Sequence, residues 1–376
     1  MKMLYILNIA KRVNNFSYTS MIAAKECGFE YHIAGNWSYK DDEERIEDEN
    51  KYGIIIHQID FVRKPYSLKN RRAYKQLLEL CKKEKYDVIH CNTPVGGLLG
   101  RLVAKKCKVK TVIYQAHGFH FYRGAPLLNW LVYYPIEKWL AHKTDVLITI
   151  NKEDYELAKK KMHLKKNGQI EYIPGVGVDF SLYKSNSLER LEKRKELNLS
   201  DNEVMLISTG DLIKRKNYFM LIDAFALIKN PNVRCYVCGT GPQELRLKKK
   251  IADLKLEDRF FLLGFRNDVK SLLSAADIFV LPSLQEGLSR SLMEAMASGL
   301  PVVCSNIRGN SDLIVNGVGG FLCDANDQDG FCERIISLCE SVALRERMGG
   351  NNLKAIDFLG MRPIIDRMKT VYSKFV

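Results

Sequence analysis

Short apolar runs alternate with longer amphipathic stretches along most of the chain. Apolar runs at 3–9, 31–35, 53–59, 87–91, 110–117, 146–150 and 171–173 have the length of buried strands. The intervals between them carry helical periodicity, as at 68–84 and 97–106. After Pro174-Gly175-Val176-Gly177 and a charged helical stretch at 188–197, the alternation restarts at 204–208, 233–238, 260–263, 278–281, 301–305 and 320–323. This order predicts α/β architecture with two doubly wound, mostly parallel sheets. The boundaries expected are 1–182 and 183–360. Ile364, Ile365, Met368, Val371, Tyr372 and Phe375 share one helical face, so the closing helix at 361–376 is expected to dock back on the first domain.

A chain of 376 residues has room for two such cores. Its hydrophobic content of 46% and charged content of 27% are those of a folded globular protein, which excludes a disordered chain. Lys and Arg outnumber Asp and Glu by 58 to 44, a net +14, which favours an anionic partner. The ten cysteines are spread through apolar stretches without a leader segment, which fits a reducing cytoplasm. Cys235 and Cys238 form a C-x-x-C with no second pair at zinc spacing, so no metal site is expected. The longest apolar run, 125–136, is too short to cross a bilayer but could touch one. Nucleic acid is a poorer match, because no recognition helix, aromatic-basic sheet or zinc module is present.

The segment from Ala276 to Pro301 carries the densest chemistry. It reads as a buried strand, a loop at 282–287 and an apolar helix, with Glu286 at the helix entry and Glu294 eight residues on. Eight helical residues span roughly 12 Å, too far for two carboxylates to flank one bond. Such a spacing suits a ligand with hydroxyls at both ends and phosphates between, the phosphates held by the amides of Gly287, Leu288 and Ser289. Isolated glutamates are more often solvated surface residues, so the weight rests on the whole arrangement.

That arrangement resembles the donor-sugar motif of retaining GT-B glycosyltransferases of family four, the glycosyl transferases group 1. The likeness extends to Gly210 with Lys214-Arg215-Lys216, where the family's basic pair holds the donor diphosphate. Asp211 stands where the family has an arginine, which leaves Arg215 or Lys214 to supply the second charge. Gly239 and Gly241 match the second glycine turn, and Phe265 and Arg266 the segment at the nucleotide base. The stretch from Tyr114 through His117 and His120 to Pro126 is similar to a signature of exopolysaccharide and capsule transferases. Ser311 and Asp312 fall where the family closes the sugar pocket.

The resemblance implies two Rossmann-like domains facing across a cleft, the first taking the acceptor and the second the nucleotide sugar. It implies catalytic roles for His117, Glu286 and Lys216, ribose contact by Glu294, a UDP-sugar donor and no metal or other cofactor. His120 reads as structural. A lipid-linked glycan acceptor would bring the protein to the inner face of the plasma membrane as a peripheral protein. Candidates on the acceptor and membrane side are Asn15 and Phe16, Thr93 and Gly97, and the basic run Arg63, Lys64, Arg71 and Arg72, which has no acid within it. The family's Gly-Gly loop after the first strand is replaced by residues 12–16. An epimerase or hydrolase of nucleotide sugars, or a non-catalytic binding partner of another transferase, are the alternative readings.

Overall fold

The computed structural model describes residues 1–13, 15–38, 41–184 and 186–376, without the side chains of 15 and 16. Two compact units emerge, residues 1–177 with 361–376, and residues 178–360. The division falls at Gly177/Val178 and not at 182/183. Val178 bridges to Gly360, and Phe180 and Tyr183 pack against the core of the second unit. Packing of these side chains, invisible to local periodicity, moves the short turn Phe180–Tyr183 across the boundary.

The first unit holds a seven-stranded parallel sheet of β1 (Lys2–Ala10), β2 (Glu30–Trp37), β3 (Ile55–Gln58), β4 (Val88–Asn92), β5 (Thr111–Ala116), β6 (Val146–Thr149) and β7 (Gln169–Tyr172), in the order β3-β2-β1-β4-β5-β6-β7. Its two faces carry separate cores. Helices Asn70–Glu84, Pro94–Lys106 and Leu127–Ala141 cover one, and helix Met361–Tyr372 covers the other, burying Ile364, Ile365, Met368, Val371 and Tyr372. Tyr372 Oη lies 2.6 Å from Nδ1 of buried His90 on β4, and Glu26 pairs with Arg362 and Lys369, so apolar and polar contacts together fasten the last helix.

The second unit repeats the plan with β8 (Val204–Thr209), β9 (Val233–Cys238), β10 (Phe260–Gly264), β11 (Ile278–Leu281), β12 (Val302–Ser305) and β13 (Gly320–Cys323), ordered β10-β9-β8-β11-β12-β13. All strands run parallel, and the inner ones are buried on both faces, which explains why they read as apolar runs; the edge strands β10 and β13 are only partly buried. The strand order reverses beside β1 and β8, and the crevices there, at the carboxyl ends of β1/β4 and β8/β11, are where such sheets take ligands.

Candidate active site

In the second unit the loops after β8, β9 and β11 meet at that reversal. Gly239 has φ 151°, and a Cβ on it would stand 2.0 Å from the Gly210 carbonyl oxygen. A Cβ on Gly241 would stand 2.5 Å from the Leu212 oxygen. These two glycines therefore pack loop against loop. Gly210 would meet the Lys216 side chain at 2.8 Å, so its bare backbone lets that lysine lie along the turn.

Lys216 is thereby held inward, buried, with Nζ 2.8 Å from Glu286 Oε1. Arg215 Nη1 lies 2.9 Å from the same oxygen and donates to the Gln285 carbonyl. Arg308, also buried, donates through Nε to the Glu286 carbonyl at 3.3 Å. Burial alone would push the Glu286 carboxyl up, yet the charges of Lys216 and Arg215 outweigh it and hold the pKa below its ordinary value. Two cations thus share the Glu286 carboxylate and a third binds the same residue's backbone carbonyl, an excess of positive charge at the mouth of the sheet suited to a diphosphate. Arg308 was given no role by sequence reasoning, and only the fold brings it here; Arg215, not exposed Lys214, stands beside Lys216. Asp211, in the family's arginine position, is exposed.

The helix after β11 begins later than its pattern predicts, spanning Arg290–Ala297 with Ser289 as its N-cap, the Oγ accepting from Leu292 N–H. Gly287 and Leu288 therefore precede the helix, and Glu286 sits in the loop and not at the helix entry. The 12 Å helical separation of the two glutamates does not apply. Glu294 is on the helix, where its Oε1 accepts from Arg290 Nε at 2.8 Å and from Tyr183 Oη at 2.9 Å. Burial, then Glu294, pushes the Tyr183 hydroxyl up to about 12. Tyr183 was missed because 111 residues separate the partners. Phe265 is 74% exposed at the end of β10, whereas Arg266 is tied to Asp268 and Glu196. Cys235 and Cys238 face opposite cores of this unit, and among the described residues no group of three or more His, Cys, Asp or Glu is placed to hold a metal ion.

In the first unit, His117 follows β5 and its Nε2 lies 3.0 Å from Oδ1 of Asn92, the buried last residue of β4. Burial pushes the His117 pKa down to about 4, so the ring is neutral at physiological pH. The next residue on the β4 side, Thr93, has φ 62° and ψ 162°, a conformation that a β-branched residue adopts only under strain. Thr93, His117, His120 and Tyr133 line a hollow of about 160 Å³. The His120 ring packs on Tyr133 with centroids 4.6 Å apart. Gly97 does not open to this hollow. A Cβ on it would stand 2.4 Å from the Tyr114 ring, which also meets the buried Arg101 guanidinium, 3.8 Å from the ring centroid and paired with Glu137 at 2.8 Å. Gly97 is a packing position. Arg63, Lys64, Arg71 and Arg72 are exposed, but Arg72 pairs with Asp60 at 2.8 Å, so the basic run has an acid against it after all. The side chains of Asn15 and Phe16 lie outside the described residues, as does Asn14 in the same loop.

Residues 189–355 match the family described as glycosyl transferases group 1, and residues 23–151 the family described as glycosyl transferase 4-like. Over 357 residues, 94% of this chain and 91% of the other, the sequence is 33% identical to a Bacillus subtilis (strain 168) protein named as glycosyltransferase EpsD. The chain is a glycosyltransferase of group 1. It is also 32% identical over 314 residues to an Escherichia coli enzyme named UDP-Gal:alpha-D-GlcNAc-diphosphoundecaprenol alpha-1,3-galactosyltransferase, covering 82% of this chain and 81% of that one. Another relative, from Staphylococcus aureus, is named as the capsular polysaccharide biosynthesis glycosyltransferase CapM, at 26% identity with 86% of each chain covered. The GT-B fold of this group 1 glycosyltransferase is matched by Anabaena HepE, solved with UDP and glucose, at a TM-score of 0.82 and 20% identity with both chains covered completely. Among the described residues, no helix is long and apolar enough to cross a membrane.

Proposed function

We propose that this glycosyltransferase moves a hexosyl or N-acetylhexosaminyl group from a UDP-sugar to a lipid-linked glycan in surface polysaccharide assembly, with retention of anomeric configuration and without a metal. The observation that carries the reading is the convergence of Lys216, Arg215 and Arg308 on Glu286 at the β8/β11 reversal. As the bond from the sugar's anomeric carbon to the diphosphate breaks, negative charge grows on the departing oxygen. Lys216 and Arg215 neutralise it from fixed positions, which is the role a metal would otherwise fill. Glu286 orients sugar hydroxyls and Glu294 the ribose, with Phe265 beside the base. His117, neutral and aligned by Asn92, serves as a hydrogen-bonding contact for the reacting sugar or acceptor, and strained Thr93 lies beside it.

The UDP-sugar donor is supported by the Anabaena neighbour solved with UDP and by the name of the E. coli relative. That same name, with its diphosphoundecaprenol acceptor and alpha-1,3 linkage, supports a lipid-linked acceptor and retention. An acceptor of this kind places the protein at the inner membrane surface. The test is incubation with a set of UDP-sugars and a polyprenyl-diphosphate-linked sugar, followed by separation of lipid-linked products and determination of their anomeric configuration. A longer α-linked lipid product formed with one UDP-sugar in the presence of a chelator supports the reading. Release of free sugar without acceptor would make the protein a hydrolase instead.

A further inference from the structure

Helix Leu127–Ala141 is apolar on two sides. Its inner side is accounted for, since Trp130, Tyr133 and Tyr134 pack on the first sheet's core and Leu140 and Ala141 are buried. The outer side is a second stripe. Leu127, Leu128, Leu131, Val132, Ile136 and Trp139 are between 41% and 73% exposed, at spacings that align them along one face of a helix about 22 Å long. Apolar surface this continuous marks an interaction site. The one acid in the helix, Glu137, is turned away from solvent and paired with Arg101, with 13% of its side chain exposed.

Charge identifies what covers the stripe. Where the helix ends, exposed Lys105 and Lys108 line a hollow of about 360 Å³ together with His142, buried Lys143, which donates to the Trp139 carbonyl, and Lys165, which pairs with Asp145. Lys143 Nζ stands 3.7 Å from the centroid of the Trp139 ring, so the basic hollow and the apolar stripe are contiguous. Arg123, exposed, stands ahead of the other end. A second copy of the chain laid on this face would bring cations at either end against cations, which opposes a self-complementary contact. An anionic bilayer satisfies both parts, taking the apolar side chains into its acyl boundary and the lysines onto its phosphates.

We propose that the stripe Leu127, Leu128, Leu131, Val132, Ile136 and Trp139 is embedded in the headgroup layer of an anionic phospholipid membrane, with exposed Lys105 and Lys108 on lipid phosphates. This deepens the membrane-linked acceptor of the proposed function and rests on that part of it. It places the contact on helix Leu127–Ala141, and the basic segment carrying Arg63 and Lys64 becomes its flank, because helix Asn70–Glu84 covers the same sheet face. Exposed Tyr66 and Leu68 in that segment carry the same mixture of apolar and basic character.

The test is sedimentation of the full chain with vesicles of phosphatidylcholine alone or with an equal share of phosphatidylglycerol, in the absence of substrate. Wild type should sediment with the anionic vesicles. Leu128→Glu/Leu131→Glu should lower partitioning by more than about tenfold, and Lys105→Glu/Lys108→Glu should weaken it by about fivefold for each lysine while narrowing the preference for anionic lipid. Trp139 is the exposed tryptophan of the three, with Trp37 buried and Trp130 half-buried, so brominated lipid should quench fluorescence in wild type and not in Trp139→Phe. A thermal melt on the same samples checks that the variants are folded, and UDP titration separates the two readings. UDP binding without vesicle binding overturns the membrane contact alone. Equal sedimentation of wild type and the leucine variant, or a wild-type dimer that the leucine variant dissolves, also overturns it.

Discussion

The Lys216 ammonium lies 2.8 Å from Glu286 Oε1, although 70 residues separate them in the chain. The carboxylate does not simply neutralise the lysine, because Arg215 shares it and Arg308 adds a further cation at its carbonyl. Removing one partner leaves the rest of a buried charged cluster unbalanced. Lys216→Ala is therefore expected to lower kcat/KM by about 10²–10³ while the protein stays folded. Steady-state kinetics together with a thermal melt on the same preparation check both halves.

Gly239→Ala would place a methyl 2.0 Å from the Gly210 oxygen at a φ of 151°. The two loops must part, costing about 1–3 kcal/mol and moving Lys216 with the Gly210 turn. The expected outcome is a lower Tm together with weaker UDP affinity, read by calorimetry and titration. Ala substitution at Gly350, inside helix Val342–Ile356 where a Cβ meets nothing within 4 Å, is the control, which should leave UDP affinity unchanged and raise Tm slightly.

Three histidines of the first unit are kept neutral chiefly by burial, His57 and His117 pushed down to about 4 and His90 to about 3. Unfolded, they titrate near pH 6.5. Between that pH and their folded values the unfolded chain binds more protons, so stability rises with pH through this window. It is complete above about pH 6.5 and falls on acidification towards pH 4, by up to about 1.4 kcal/mol per pH unit for each histidine. Calorimetric scans between these limits should show an acid-sensitive transition belonging to the first unit, and His90→Gln should make its pH slope shallower.

Tyr372→Phe removes the hydroxyl 2.6 Å from His90 Nδ1 and leaves a buried ring nitrogen without that partner. A loss of about 1–3 kcal/mol is expected. Denaturant unfolding monitored on the first unit checks it, and UDP affinity should be unaffected.

His117→Ala should lower kcat by about 10²-fold or more with little change in the affinity for UDP, because His117 and its partner Asn92 belong to the first unit and the cation cluster to the second. An equal loss of UDP affinity in this variant would remove the proposed separation of roles.

The inner strands were legible because they are buried on both faces and bounded by a break in pattern, as at Ile278–Leu281 before Pro282, whereas edge strands such as Ile55–Gln58 and Gln169–Tyr172 are only partly buried. The charge pairing at Lys216 and Glu286 was legible as a motif on each side, while their contact was not, since it is made by two loops that only the sheet order brings together. Tyr183 and Arg308 carried no local signal at all. The helix start was misplaced because Gly287-Leu288 continue the apolar pattern, whereas the Ser289 hydroxyl sets the cap at 289. Gly97, expected on the acceptor side, leaves the space taken by the Tyr114 ring.

The central claim is that the loops holding Lys216, Arg215 and Glu286 bind the nucleotide diphosphate, with Glu294 on the ribose. Isothermal titration of UDP into wild type, Lys216→Ala and Glu294→Ala tests it most directly. The account predicts binding by wild type and a loss of more than about tenfold in each variant, close to what one charge-assisted hydrogen bond contributes. Wild-type affinity in both variants, or no binding of UDP by any of the three proteins, would contradict it.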